Sequence, residues 1–125
     1  MERNWFMGKY VDGFVIPVAK KKMAAYLKAA KIGAKVWKEH GALQYFECAG
    51  DDLAQKEMVP FPKLAKTKAG ETVVFSFIVY KSRAHRDKVI AKVMKDPRIT
   101  GMDMKNMPFD MKRMAYGGFS VVVES

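Results

Sequence analysis

The chain has 125 residues, half of them hydrophobic and 29% charged, a balance that argues against disorder and fits one domain with one core. No stretch approaches the roughly 20 uninterrupted apolar residues needed to span a bilayer, so no membrane is an expected partner. Cys48 is the only cysteine, which rules out an intrachain disulfide and makes a reducing cytoplasm the expected location.

Residues 1–8, MERNWFMG, lack the apolar run of a signal peptide and read as an N-terminal extension to a single domain at 9–125. Residues 9–18, KYVDGFVIPV, are rich in β-branched and aromatic side chains and predict a strand. Residues 20–40 predict a helix. At about 100° per residue, Met23, Tyr26, Leu27, Ala30, Ala34 and Trp37 share one face, and five lysines from Lys21 to Lys38 share the other. Gly41 is placed to end it in a left-handed turn. Three lysines at its start oppose the helix dipole.

Residues 42–49, ALQYFECA, predict the second strand. Residues 50–70 are irregular and predict an excursion with a short extra strand or turn. Residues 71–80, ETVVFSFIVY, form the clearest strand. Ser82 is a helix cap, and Val89, Ile90, Val93 and Met94 share a face of the helix that follows, which ends at Asp96-Pro97. Residues 98–108 are a methionine-rich connector with room for one helical turn. Residues 112–123 predict the last strand, where Gly117-Gly118 marks a bulge or a close backbone approach.

The order β-α-β, excursion, β-α-β predicts an α+β fold: the ferredoxin-like plait, a four-stranded antiparallel sheet with both helices on one face. The first and third strands are apolar on both faces, whereas a strand with one wet face alternates. Two helices cover one side only. The expected cover for the other is a second copy, giving a homodimer through the open sheet face. The competing expectation is that residues 50–70 fold over it.

The net charge of +10 resides in the helices. Residues 20–40 carry +6 and residues 81–98 carry +5, while the remainder sums to −1. A lysine stripe on a helix is the pattern of a solvated face. It permits non-specific polyanion binding at low salt but indicates no specific nucleic-acid partner.

Several blocks in fixed order, YVDGFVIPV, KVWKEHGAL, ECAGDD, ETVVFSFIVYKSRAHRD, KVMKDPR and NMPFDMKRMAYGGF, make residues 10–123 similar to the YbaA-like family of small bacterial proteins of unknown function. The resemblance implies the dimeric α/β-barrel superfamily, in which two ferredoxin-like sheets pack face to face. It implies no particular activity. The chain departs from the family pattern at two places: Ala19-Lys20-Lys21 stands where an acidic helix start is expected, and Met111 where a small residue is expected.

The candidate ligand-binding residues are Asp12, Glu47, Arg86, Arg113 and Tyr116. Asp12 is a carboxylate in an apolar strand, costly to bury unpaired. It suits either a pocket or, more simply, a structural pairing with Arg113, with backbone amides or with Arg86. Glu47, with Asp51 and Asp52, forms an acidic cluster whose spacing matches no metal loop, and a solvated edge is the simpler expectation. Arg86 falls on the apolar face of the second helix near its start, suited to an anion or to a structural carboxylate. Tyr116 lines a pocket or belongs to the core. His40 and His85 have no catalytic neighbours in sequence. Cys48 is expected to be buried and inert. No phosphate-binding, nucleophile-elbow or zinc-ligand motif is present, so no metal and no cofactor are expected. The functional expectation is a small organic ligand bound or transformed between sheet and helices, with no reaction indicated. The alternative is non-specific nucleic-acid binding through the basic helices.

Overall fold

The computed structural model describes residues 8–125. All but the last residue of the expected extension, 1–8, therefore lies outside the described residues. Four strands, β1 (Tyr10–Ala19), β2 (Gln44–Ala49), β3 (Glu71–Tyr80) and β4 (Ala115–Ser120), form one sheet in the order β2-β3-β1-β4. Every neighbouring pair is antiparallel. The two ten-residue strands lie at the centre because they are apolar on both faces. Their pairing runs unbroken from Tyr10 opposite Tyr80 to Ala19 opposite Glu71.

This is the ferredoxin-like plait, but the expected α/β barrel is not formed. Among the described residues β2 and β4 each pair on one side only, so the sheet stays open with two edges. Four strands are too few to close: a barrel just wide enough to fill with side chains takes about eight.

On one face, α1 (Met23–Glu39) and α3 (Arg83–Val93) pack over the sheet. Val36, Ile78, Tyr80, Val89 and Val93 form one buried cluster, and Ile16, Val18, Tyr26 and Val74 a second. The buried stripe of α1 runs through Tyr26, Gly33 and Val36, while Leu27, expected inside, is exposed. Gly33 is the point of close approach: a Cβ there would sit 3.1 Å from the Tyr45 hydroxyl, so a larger residue would have to push that phenol aside by a few tenths of an ångström. The three lysines at the helix start form a 3-10 turn, Lys20–Lys22, and no side chain caps α1. Gly41 adopts the expected left-handed conformation with φ of 118°. Ser82 Oγ accepts from the His85 amide and caps α3.

The excursion contains a short helix, α2 (Phe61–Ala65), rather than a strand. It packs against β1 and β3, and the Phe61 ring lies 6.3 Å from that of Phe75. The excursion thus covers part of the open face but not all of it. Phe46, Phe75 and Phe119 remain 42%, 43% and 62% exposed. Cys48 is also exposed, on the same face as Phe46, and not buried as expected.

The connector proves longer than expected, running over residues 94–114 between α3 and β4, and holds a further short helix, α4 (Pro97–Thr100), and two 3-10 turns, Met104–Asn106 and Met111–Arg113. The last strand starts only at Ala115, three residues later than the sequence suggests. Its register against β1 is continuous, with no bulge. Gly118 instead marks a close approach: any Cβ there would collide with the Tyr10 ring. No helix of the described residues is long and apolar enough to cross a membrane.

Candidate functional site

Between the helix-facing side of the sheet, α1 and the connector lies a cavity of about 210 Å³. The sheet contributes Phe14, Ile16, Tyr45, Glu47, Ser76 and Ile78 to its wall. Helix α1 contributes Tyr26, Ala30, Gly33 and Trp37. The outer wall is the connector, with Phe109 and five of the chain's ten methionines: Met102, Met104, Met107, Met111 and Met114.

Three aspartates, each seven residues after the last, give the connector its shape. The Asp96, Asp103 and Asp110 carboxylates accept from the amides of Arg98, Lys105 and Lys112 at 2.9, 3.1 and 3.0 Å, and each starts a short turn. Aspartate favours such turns because its side chain reaches the amide two residues on. That repeat was the available signal for an ordered wall, and the sequence reading did not use it. Met111 opens the last of these turns and lines the cavity.

Among the described residues, Glu47 is the only charged one in the cavity wall. It does not join Asp51 and Asp52 in an acidic cluster at a solvated edge. Instead, its Oε1 accepts from the Tyr26 hydroxyl at 2.7 Å and its Oε2 from the Tyr45 hydroxyl at 2.8 Å. Burial, and then the bonded Glu47 carboxylate, push both phenols well above the usual tyrosine range, so both remain protonated donors. No Lys, Arg or His among the described residues forms an ion pair with Glu47. The alternation of β2 places Glu47 here, on the same face as Tyr45 and opposite Phe46 and Cys48.

Asp12, Arg86 and Tyr116 form a second group. Arg86 Nη1 donates to Asp12 Oδ1 at 2.6 Å and to the Tyr116 hydroxyl at 2.9 Å. Tyr116 in turn donates to Asp12 Oδ1 at 3.1 Å. Arg86 also lies 4.9 Å from the centre of the Tyr10 ring. This group sits beside the cavity but does not line it. Arg113 is not the partner of Asp12. It forms a two-pronged ion pair with Glu71, both bonds 2.8 Å, because the 3-10 turn before β4 points it at the start of β3. The five candidate residues therefore lie at three places, of which only that of Glu47 opens on the cavity.

Neither histidine stands at the cavity. His40 Nε2 meets Asp96 Oδ2 at 2.8 Å. His85 Nδ1 accepts from the Lys81 amide, and burial, followed by the charges of Lys81, Lys88 and Lys92, holds its pKa below the usual value.

Residues 9–111 match the family described as a protein of unknown function, DUF1428. The chain is 42% identical over 116 residues to the uncharacterized protein YbaA of Escherichia coli K12, across 93% of this chain and 98% of that protein, and equally so to YbaA of Shigella flexneri. Among solved structures it is similar to a dimeric ferredoxin-like protein from an uncultured marine organism, with a TM-score of 0.65 and 15% identity over 94% of this chain and 99% of that one. It is also similar to a nipsnap family protein with unknown function from Agrobacterium tumefaciens, with a TM-score of 0.59 and 18% identity over 95% of this chain and 93% of that one. At such identities these two likenesses establish a shared fold and nothing more. The sequence matches go further, and by their extent and identity this chain belongs to the DUF1428 family.

Proposed function

We propose that this protein binds a small, largely apolar organic molecule in the cavity between the sheet, α1 and the connector. The observation that carries this reading is the wall itself: an apolar surface with one carboxylate held in place by two phenols. Ligand sites commonly combine apolar walls with a few polar groups that fix orientation. The volume, about 210 Å³, is below the roughly 300 Å³ at which pockets begin to take drug-sized molecules, so the ligand is small. Methionine is unbranched and polarizable, and a wall of five lets the site adapt to the shape it receives.

Methyl-labelled methionine provides the test. In a fragment screen followed by NMR, a binder should shift the methyls of Met102, Met104, Met107, Met111 and Met114 and spare Met58, which is exposed and absent from the cavity wall. Ala30→Leu, which fills the cavity, should abolish those shifts. Binding that survives Ala30→Leu, or shifts confined to other methionines, would place the ligand elsewhere.

The assembly in this reading is a homodimer through the open sheet face. Its support is the run of exposed phenylalanines that α2 leaves uncovered, Phe46, Phe75 and Phe119, together with the description of the marine relative as dimeric. Large exposed apolar patches on a small protein mark interaction surfaces.

A further inference from the structure

Resting on the cavity reading above, we infer that the ligand is a cation: an organic ammonium with an apolar substituent. Glu47 brings a carboxylate to an otherwise uncharged wall and meets no cation among the described residues. The Tyr26 and Tyr45 hydroxyls occupy one acceptor position on each oxygen. A carboxylate has about four such positions, so about two remain for a guest.

What the phenols supply is orientation and partial charge relief. Glu47 is half-buried, and a carboxylate partly withdrawn from water is stabilised further when an opposite charge joins it. The described residues supply none, so a charged donor on the ligand gains both the Coulomb attraction and a charge-assisted hydrogen bond. A carboxylate ligand would meet repulsion there.

The aromatic walls favour the same guest. Trp37 and Tyr45 lie 6.1 Å apart, and Tyr26 and Phe109 5.6 Å apart, ring centre to ring centre. Glu47 bonds to one member of each pair. The negative faces of aromatic rings attract an ammonium and its adjacent carbons. The protein as a whole carries +10, which favours anions at any unselective surface site. A preference for a cation is therefore a signature of the cavity and runs against the global field.

The decisive comparison uses one skeleton with three headgroups: 3-phenylpropylammonium, 3-phenylpropan-1-ol and 3-phenylpropionate, titrated at neutral pH against the full chain with the methionine methyls as reporters. The ammonium should bind about tenfold or more tighter than the alcohol, with the propionate weakest. Glu47→Gln should bring the ammonium to the level of the alcohol, while Asp51→Asn, the same charge change on an exposed loop residue, should leave the order intact. Equal or tighter binding of the alcohol or the propionate by the native protein would overturn the inference and leave the cavity as a ligand site. Failure of all three to bind would overturn the cavity reading as well. The headgroup order needs no variant, so it decides the matter even if Glu47→Gln does not fold.

Discussion

Arg86 Nη1 donates to Asp12 Oδ1 at 2.6 Å although the two residues are 74 positions apart in the chain. The pair ties the first turn of α3 to the start of β1. It is well shielded, with the Asp12 side chain 1% exposed and that of Arg86 12%. Tyr116, from β4, closes the triangle, so three elements meet at one charge pair.

Removing Arg86 strands the buried Asp12 carboxylate, whereas removing Asp12 leaves Arg86 bonded to the exposed Asp87 at 2.8 Å. Arg86→Leu should cost about 3–5 kcal/mol, a large share of the roughly 5–15 kcal/mol that holds a domain together, and Asp12→Asn should cost less. The double variant should lose clearly less than the sum of the singles, because neither charge is then left alone. Denaturant unfolding of the three variants measures this. Additive losses would show that the two charges do not depend on each other.

Glu71 should make the fold acid-sensitive. Arg113, followed by the Lys68 amide, holds its carboxyl down to about 2. A carboxyl depressed in the folded state contributes stability that is present above its unfolded value, about 4.3, and lost as pH falls toward 2. The thermal midpoint should therefore drop across that window. Glu71→Gln should lower the midpoint at neutral pH and flatten the drop. Some slope will survive in the variant, because Arg98 and then His40 hold Asp96 low in the same way. Identical slopes in the native protein and the variant would show that the Glu71–Arg113 pair contributes nothing to stability.

Phe75 tests the assembly. Its side chain is 43% exposed on the open face and packs against Phe61 and Phe77. Sedimentation of the native chain at micromolar concentration should give a dimer, and Phe75→Asp should give a folded monomer. A dimer of unchanged affinity from Phe75→Asp, or from the matching change at Phe119, would mean that the copies meet elsewhere.

The lysines of the first helical segment should act only through general charge. Lys21, Lys28 and Lys35 are exposed. Changing all three to Gln should weaken binding to RNA and DNA, reduce its dependence on salt, and leave the melting temperature within a few degrees of the native value. Tight binding at high salt with a sequence preference would contradict this and point to a built nucleic-acid site.

Much of the fold was legible because its signals are local. The central strand at 71–80 appears with its expected bounds, since a run of β-branched and aromatic residues ended by Ser82 allows little else. Short helices were less legible. α2 follows Pro60 in a stretch whose five residues carry no periodicity to detect. α4 begins at Pro97, where the expected helix end proved also to be a new helix start. Leu27 was misplaced because a helical wheel does not show how closely a neighbouring strand approaches at Gly33.

The succession of strands and helices along the chain, the two-faced central strands and the presence of one carboxylate on each of β1 and β2 were all determined by the sequence itself, through alternation and composition. The tertiary structure alone decided what those carboxylates meet. Asp12 faces Arg86 and not Arg113, and Glu47 faces two phenols and not Asp51 and Asp52. A strand pattern tells which residues share a face, whereas the residue opposite each depends on sheet register, where a slip of one position reverses every side chain. It depends as well on the path of a connector whose turns close only once the sheet is there to pack against. Sheet closure was likewise outside the reach of local signals, because it depends on how many strands pair and not on what any one strand contains.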